Sequence, residues 1–121
     1  MGGLTSGIGS ALTLLPPPGL VHIWVACPTY TAAQAAWALP SLAQDEVRHL
    51  HNLRQVRDQW RYAVARAYLR HLLAHYLGCA PQAVPLIYGQ YGKPCLTLPH
   101  TLQFNLSHAG DILLAAASVD R

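Results

Sequence analysis

The strongest constraint on this chain is a single uninterrupted helical period that runs from about Gln55 to Leu77 and stops at Gly78, with Pro81 just beyond. Within it Tyr62, Ala65, Leu69, Leu72, Leu73 and Tyr76 recur at spacings of three and four, so they share one stripe that should be buried. Arg54, Arg57 and Arg61 keep the same rhythm on another face. With Arg66 and Arg70 they form a basic series that reads as a solvated or phosphate-facing helix side. The residues between these arginines are aliphatic rather than aromatic, which speaks against a nucleic-acid surface. Such a helix needs a surface to pack on, and 121 residues leave room for one small domain with one core.

The flanking sequence supplies that surface as short elements. Val21 to Cys27 alternates, with Val21, Ile23, Val25 and Cys27 on one face, and is closed by Pro28, as a strand would be. Thr31 to Leu39 is Ala-rich and helical, with Thr29 or Thr31 as its N-cap and Pro40 as its end. Ser41 is then expected to cap a second helix over 42–53, whose acids Asp45 and Glu46 suit the positive end of a helix dipole. After Gly78 the signals are short and punctuated by Pro and Gly: 84–88, a turn at 89–92, 95–98, 102–106 and 112–119. These read as antiparallel strands, giving an α+β fold in which a long helix packs on a small antiparallel sheet. Residues 1–19, rich in Gly, Ser, Thr and Pro without periodicity, read as a flexible leader.

Composition narrows the function. Hydrophobic residues make up 52% and charged residues only 11%, which excludes a disordered tail or a coiled coil. The chain has more apolar surface than a domain this small buries alone, so self-association or a missing partner surface is expected. The formal net charge is +3, and seven of the eight cations are Arg, whose planar fork suits phosphate or carboxylate. The start lacks a cation and is broken by Pro16, Pro17 and Pro18, so it is neither a signal peptide nor a membrane span; Gly2 and Ser6 fit a myristoylation pattern that is met often by chance. No stretch approaches the roughly 20 apolar residues of a spanning helix. Cys27, Cys79 and Cys95 are few and far apart with no CxxC, as for reduced thiols in a cytoplasmic protein.

Three constellations could carry chemistry. His71 and His75 lie at i and i+4, a spacing that lets two imidazoles face one ion, but Leu72 stands where a zincin has Glu and no third ligand is identifiable. Ser107 and His108 are adjacent in an extended segment, so their side chains point apart and form no dyad. The informative stretch is Tyr91-Gly92-Lys93-Pro94, followed about ten residues later by Phe104-Asn105-Leu106-Ser107-His108-Ala109-Gly110. A Gly turn there presents a cation beside a rigid ring, and a strand supplies two hydrogen-bonding side chains, a combination suited to a nucleotide carrying phosphates.

Those two segments closely resemble the signature segments of the 4′-phosphopantetheinyl transferases of the longer, Sfp-like kind, where YGKP and FN(I/L)SH lie in this order and at this distance. The upstream series Ser41-Leu42, Glu46, Arg48, Arg54, Asp58, Arg61, Ala65-Arg66 and Leu69-Arg70 is similar to the helical region that precedes them, so the resemblance spans residues 20–121. It implies transfer of the phosphopantetheinyl group of coenzyme A to a serine of an acyl or peptidyl carrier protein, with Mg²⁺ on the pyrophosphate. Carried over residue by residue, Lys93 and Pro94 would contact the adenine end, Ser107 the nucleotide, His108 the 3′-phosphate and Arg61 the phosphates, with Tyr62 near the nucleotide. Glu46 and His49 occupy positions where some relatives carry cations. The family holds its metal with an Asp-x-Glu pair and a further Glu, and none of Asp45, Glu46, Asp58, Asp111 or Asp120 forms such a pair. The resemblance therefore implies the N-terminal half of a pseudo-dimer, with no metal ligand or catalytic residue of its own and with Asp-x-Glu expected just after Arg121. On this expectation the 121 residues alone are inactive; a truncated remnant that binds only nucleotide or a partner is the alternative.

Overall fold

A computed structural model describes residues 15–97 and 102–119. Most of the leader expected over residues 1–19 lies outside the described residues, as does the end of the strand expected over 95–98. The chain runs β1 (Val21–Ala26), α1 (Ala32–Ala38), α2 (Gln44–His51), α3 (Val56–Leu77), β2 (Leu86–Tyr88), β3 (Pro94–Leu96), β4 (Leu102–Ala109) and β5 (Ile112–Val119). The α+β reading holds, with the antiparallel strands divided into a three-stranded sheet, ordered β1-β5-β4, and a separate β2-β3 ladder.

The long helix is buried over more of its circumference than a single stripe. Leu69, Leu72, Leu73 and Tyr76 are buried as the three-four spacing requires, but so are Ala63, Val64, Ala67, Tyr68 and Ala74. One core cluster lies under α1 and α2, around Leu42, Leu50, Val64 and Tyr68. The second lies between α3 and the strands, around Leu69, Leu73, Leu86, Leu102 and Ala117. Full burial of an aliphatic side chain contributes roughly 1.5–3 kcal/mol, so this helix holds the domain together. Gly78 ends it in the left-handed conformation at φ 67°, where an L side chain would be strained.

Two local expectations are corrected. Thr31 caps α1, its Oγ1 accepting from the Gln34 N–H at 3.2 Å, but Ser41 does not cap α2. Ser41 is buried in a 3₁₀ turn over Leu39–Ser41, with its Oγ 3.0 Å from His71 Nε2, and α2 begins three residues later. There Glu46 Oε1 accepts from the Ala43 N–H at 3.0 Å. Arg70, read as part of an exposed or phosphate-facing row, is 1% exposed. Its Nε donates to Glu46 Oε1 at 2.6 Å, and its Nη1 donates to the carbonyls of Pro81 and Val84, both at 3.0 Å. An arginine fork is the side chain that can tie a buried carboxylate to carbonyl oxygens in one plane.

The alternation along β1 sorts its two faces. Its apolar row, Val21, Ile23 and Val25, faces away from the helix and is exposed, while His22, Trp24 and Ala26 face inward. Tyr76 on α3 decides this, since its hydroxyl accepts from Trp24 Nε1 at 2.6 Å and lies 2.9 Å from His22 Nδ1. Turning the strand over would remove both bonds and the large indole from the core.

Candidate functional site

Strand alternation on β4 sorts the second motif. Leu102, Phe104, Leu106 and His108 take the face toward α3, while Gln103, Asn105 and Ser107 share the outer face with their β5 partners Ser118, Ala116 and Leu114. His108 comes last before the tight β4-β5 turn, where Gly110 sits at φ 60°. The first motif is set by the β2-β3 connection, in which the Gly89 N–H donates to the Lys93 carbonyl at 2.8 Å. Tyr91 and Gly92 both take positive φ, which turns the chain so that Lys93 and Pro94 enter β3. Tyr91, fully exposed at φ 58°, is the one described non-glycine residue in that conformation.

The two motifs converge on the middle of α3. One hollow of about 150 Å³ is lined by Lys93, Pro94, Phe104, Asn105, Leu106, His108 and Arg66. A neighbouring hollow of about 250 Å³ is lined by Tyr30, Arg61, Tyr62, Ala65, Arg66 and His108. A third, between Tyr62, Tyr88, Tyr91, Gly92, Asp45, His49 and Arg66, adjoins them. Of the residues carried over from the sequence, Arg61, Tyr62, Lys93, Pro94 and His108 are thus gathered around one place, with Arg66 in all three linings. Ser107 lines none of the three hollows and lies on the strand face opposite His108. Arg66 was visible in the sequence as a member of the arginine series and of the similar helical region, with no role assigned to it.

The electrostatics of this place are cationic. Arg61 lies over the Tyr30 ring with its guanidinium carbon 5.0 Å from the centroid, and Arg66 lies over Tyr62 and Tyr88 at 5.4 and 5.2 Å. Among the described residues the one salt bridge is that of Arg70 with Glu46, so no carboxylate is paired with Arg61, Arg66 or Lys93. Partial desolvation, then Arg66 and Arg61, hold the His108 imidazole below its ordinary value. Beneath the hollow Tyr88 donates to Glu46 Oε2, and burial followed by that bond holds its phenol above the usual range. Glu46 therefore organises the floor and is no phosphate contact. His49 is exposed, its ring 4.6 Å from that of Tyr62.

The described acids do not fit a magnesium site. Glu46 is committed to Arg70 and Tyr88, Asp45 lines the third hollow without a second carboxylate, and no three His, Cys, Asp or Glu side chains gather among the described residues. His71 and His75 serve different neighbours: His71 stacks on Trp37 at 5.1 Å and bonds Ser41, while His75 meets the edge of Trp24 at 5.5 Å. Among the described residues no helix is long and apolar enough to cross a membrane.

Arginine, lysine and histidine thus meet on this α+β unit where YGKP and FNLSH converge. The family model described as 4′-phosphopantetheinyl transferase, N-terminal, matches residues 28–120, and the chain belongs to that transferase family. It is 31% identical over 119 residues to the 4′-phosphopantetheinyl transferase HetI of Nostoc sp., covering 90% of this chain and 50% of that protein. A Synechocystis sp. protein named for the same activity is 31% identical over 109 residues, covering 88% of this chain and 42% of its own. The chain thus spans about half the length of these relatives. A holo-(acyl-carrier-protein) synthase from Bacillus anthracis, solved in complex with CoA (3′,5′-ADP), is similar at a TM-score of 0.47 and 16% identity, over 80% of this chain and 91% of that one.

Proposed function

We propose that this chain supplies the coenzyme A nucleotide pocket of a 4′-phosphopantetheinyl transferase, and that the metal carboxylates come from a C-terminal half. The observation that carries the reading is the convergence of Lys93, Pro94 and His108 with Arg61 around a place where these cations have no carboxylate partner. In this reading Arg61 and His108 hold phosphate oxygens, His108 that of the 3′-phosphate, while Lys93 and Pro94 flank the adenine end beside Phe104. Tyr62 forms a wall near the nucleotide. Ser107 contributes no side chain to these hollows. When bound by carboxylates of the second half, Mg²⁺ would neutralise the pyrophosphate; this chain's part is to bind and orient the nucleotide. The acceptor is then a serine of an acyl or peptidyl carrier protein.

The outer face of the three-stranded sheet fits the same proposal. It exposes Val21, Ile23, Val25, Ile112 and Leu114, from 37% to 62% of their surface, as one apolar patch on which a second half or a second copy would seat. Isothermal titration of coenzyme A into the 121-residue chain tests the nucleotide reading. Binding that weakens roughly ten- to a hundredfold in Arg61→Ala, by loss of a charge-assisted bond of about 1.5–3 kcal/mol, supports it. His108→Ala should weaken binding in the same sense with an unchanged circular dichroism spectrum. Absence of binding, or equal affinity in Arg61→Ala, would refute it.

A further inference from the structure

We infer that Tyr30, in the connection between β1 and α1, is a positioning residue whose ring holds the Arg61 guanidinium at the pocket before any ligand arrives. This rests on the nucleotide reading above, in which Arg61 serves phosphate oxygens. It adds a residue that lies outside α3 and outside both motifs and acts through Arg61.

The first support is the state of Arg61. The residue is exposed and its side chain is long, so left alone it would sample many rotamers and give up that freedom on binding. Among the described residues no salt bridge restrains it. What it meets is the Tyr30 ring, with the guanidinium carbon 5.0 Å from the centroid, inside the roughly 6 Å over which a cation is drawn to an aromatic face. A ring face attracts the charge without neutralising it as a carboxylate would, and the N–H donors stay available to phosphate oxygens.

The second support is how Tyr30 is itself fixed. It stands one residue before the Thr31 cap of α1 and two after the buried Pro28, and it packs half-buried against the core cluster under α1 and α2. Burial above all, opposed by the Arg61 charge and aided by that of Asp111, holds its phenol above the ordinary value, so the ring faces Arg61 in neutral form at neutral pH. No salt bridge joins Asp111 to Arg61. Tyr30 and Arg61 line the same hollow of about 250 Å³ with His108, so a guanidinium resting on that ring already stands at the space the imidazole also borders. Preorganisation of this kind strengthens binding by lowering its entropic cost.

The test titrates coenzyme A into the full chain and into Tyr30→Phe, Tyr30→Leu, Arg61→Ala and Tyr30→Leu/Arg61→Ala, with thermal melts to establish that each variant is folded. Tyr30→Leu is expected to weaken binding about threefold or more, and Tyr30→Phe, which keeps the ring, to retain most of the affinity. In the Arg61→Ala background the leucine substitution should change affinity by less than about 1.5-fold, since nothing is left for the ring to position. With Arg61→Ala weakened as expected, three results overturn the role of Tyr30 while the nucleotide reading stands: Tyr30→Leu equal to the parent, Tyr30→Phe as weak as Tyr30→Leu, or the same loss with and without Arg61. Should a leucine variant not fold, NMR of the parent decides: the Arg61 side-chain protons must lie upfield of their free-arginine positions under the Tyr30 ring current, and unshifted protons overturn the role. If the parent binds no coenzyme A, or Arg61→Ala binds it equally well, both readings fall together.

Discussion

Replacing Arg70 by Met removes the polar clamp that joins α2, α3 and the segment leading into β2. The substitution keeps an unbranched stem of similar reach but deletes the 2.6 Å bond to Glu46 and the two 3.0 Å bonds to the Pro81 and Val84 carbonyls. Glu46, with no exposed surface, is left with only the Ala43 N–H and the Tyr88 hydroxyl. Stranding one member of a buried ion pair costs about 3–5 kcal/mol. Small domains have total stabilities of only about 5–15 kcal/mol. With urea slopes of about 1–3 kcal/mol per molar for proteins of this size, the midpoint of unfolding should fall by at least 1 M. Urea titration followed by circular dichroism measures it, and the double variant Glu46→Leu/Arg70→Met should recover a large part of the loss, because it leaves no buried charge behind. An Arg70→Met chain that unfolds within 0.5 M of the parent would refute the clamp.

Two pH dependences follow from the histidines. His108 is held below its ordinary value by desolvation and by Arg66 and Arg61, and a bound phosphate would draw its pKa up; binding then takes up a proton. Coenzyme A affinity should accordingly fall as pH rises from about 6 to 8, and calorimetry on His108→Gln should show a flatter profile. His71 is pushed down by burial, so its stabilising contribution is complete above its unfolded value of 6.5 and is lost as pH falls toward the folded one. Melting temperatures between pH 7.5 and 5 should drop less for His71→Gln than for the parent.

Much of this architecture was legible in residue order because the physics behind it is local. The Leu69, Leu72, Leu73 and Tyr76 spacing sets the buried side of α3, Gly78 sets its end, and the glycines around Tyr91 and at 110 set the turns that bring the two motifs together. What stayed hidden depends on partners distant in sequence. Arg70 continues the exposed arginine series in spacing, and only Glu46, 24 residues earlier, makes its burial possible. Ser41 has the chemistry of a cap, but His71 claims its hydroxyl and leaves capping to the Glu46 side chain. The alternation of β1 does not say which of its faces is buried, and Tyr76 decides it by holding His22 and Trp24. In the candidate site, the adjacency of Ser107 and His108 already separated their side chains. The convergence of Arg66 with both motifs required the fold.

Amide chemical shifts of the labelled chain, recorded while adenosine 3′,5′-bisphosphate is added, test the central proposal most directly. If the two motifs and the middle of α3 form one nucleotide pocket, the largest changes should cluster at 61–66, 91–94 and 106–110. The outer-face residues of β1 should stay still. Saturable shifts confined to another surface, or no shifts at millimolar ligand, would contradict the assignment.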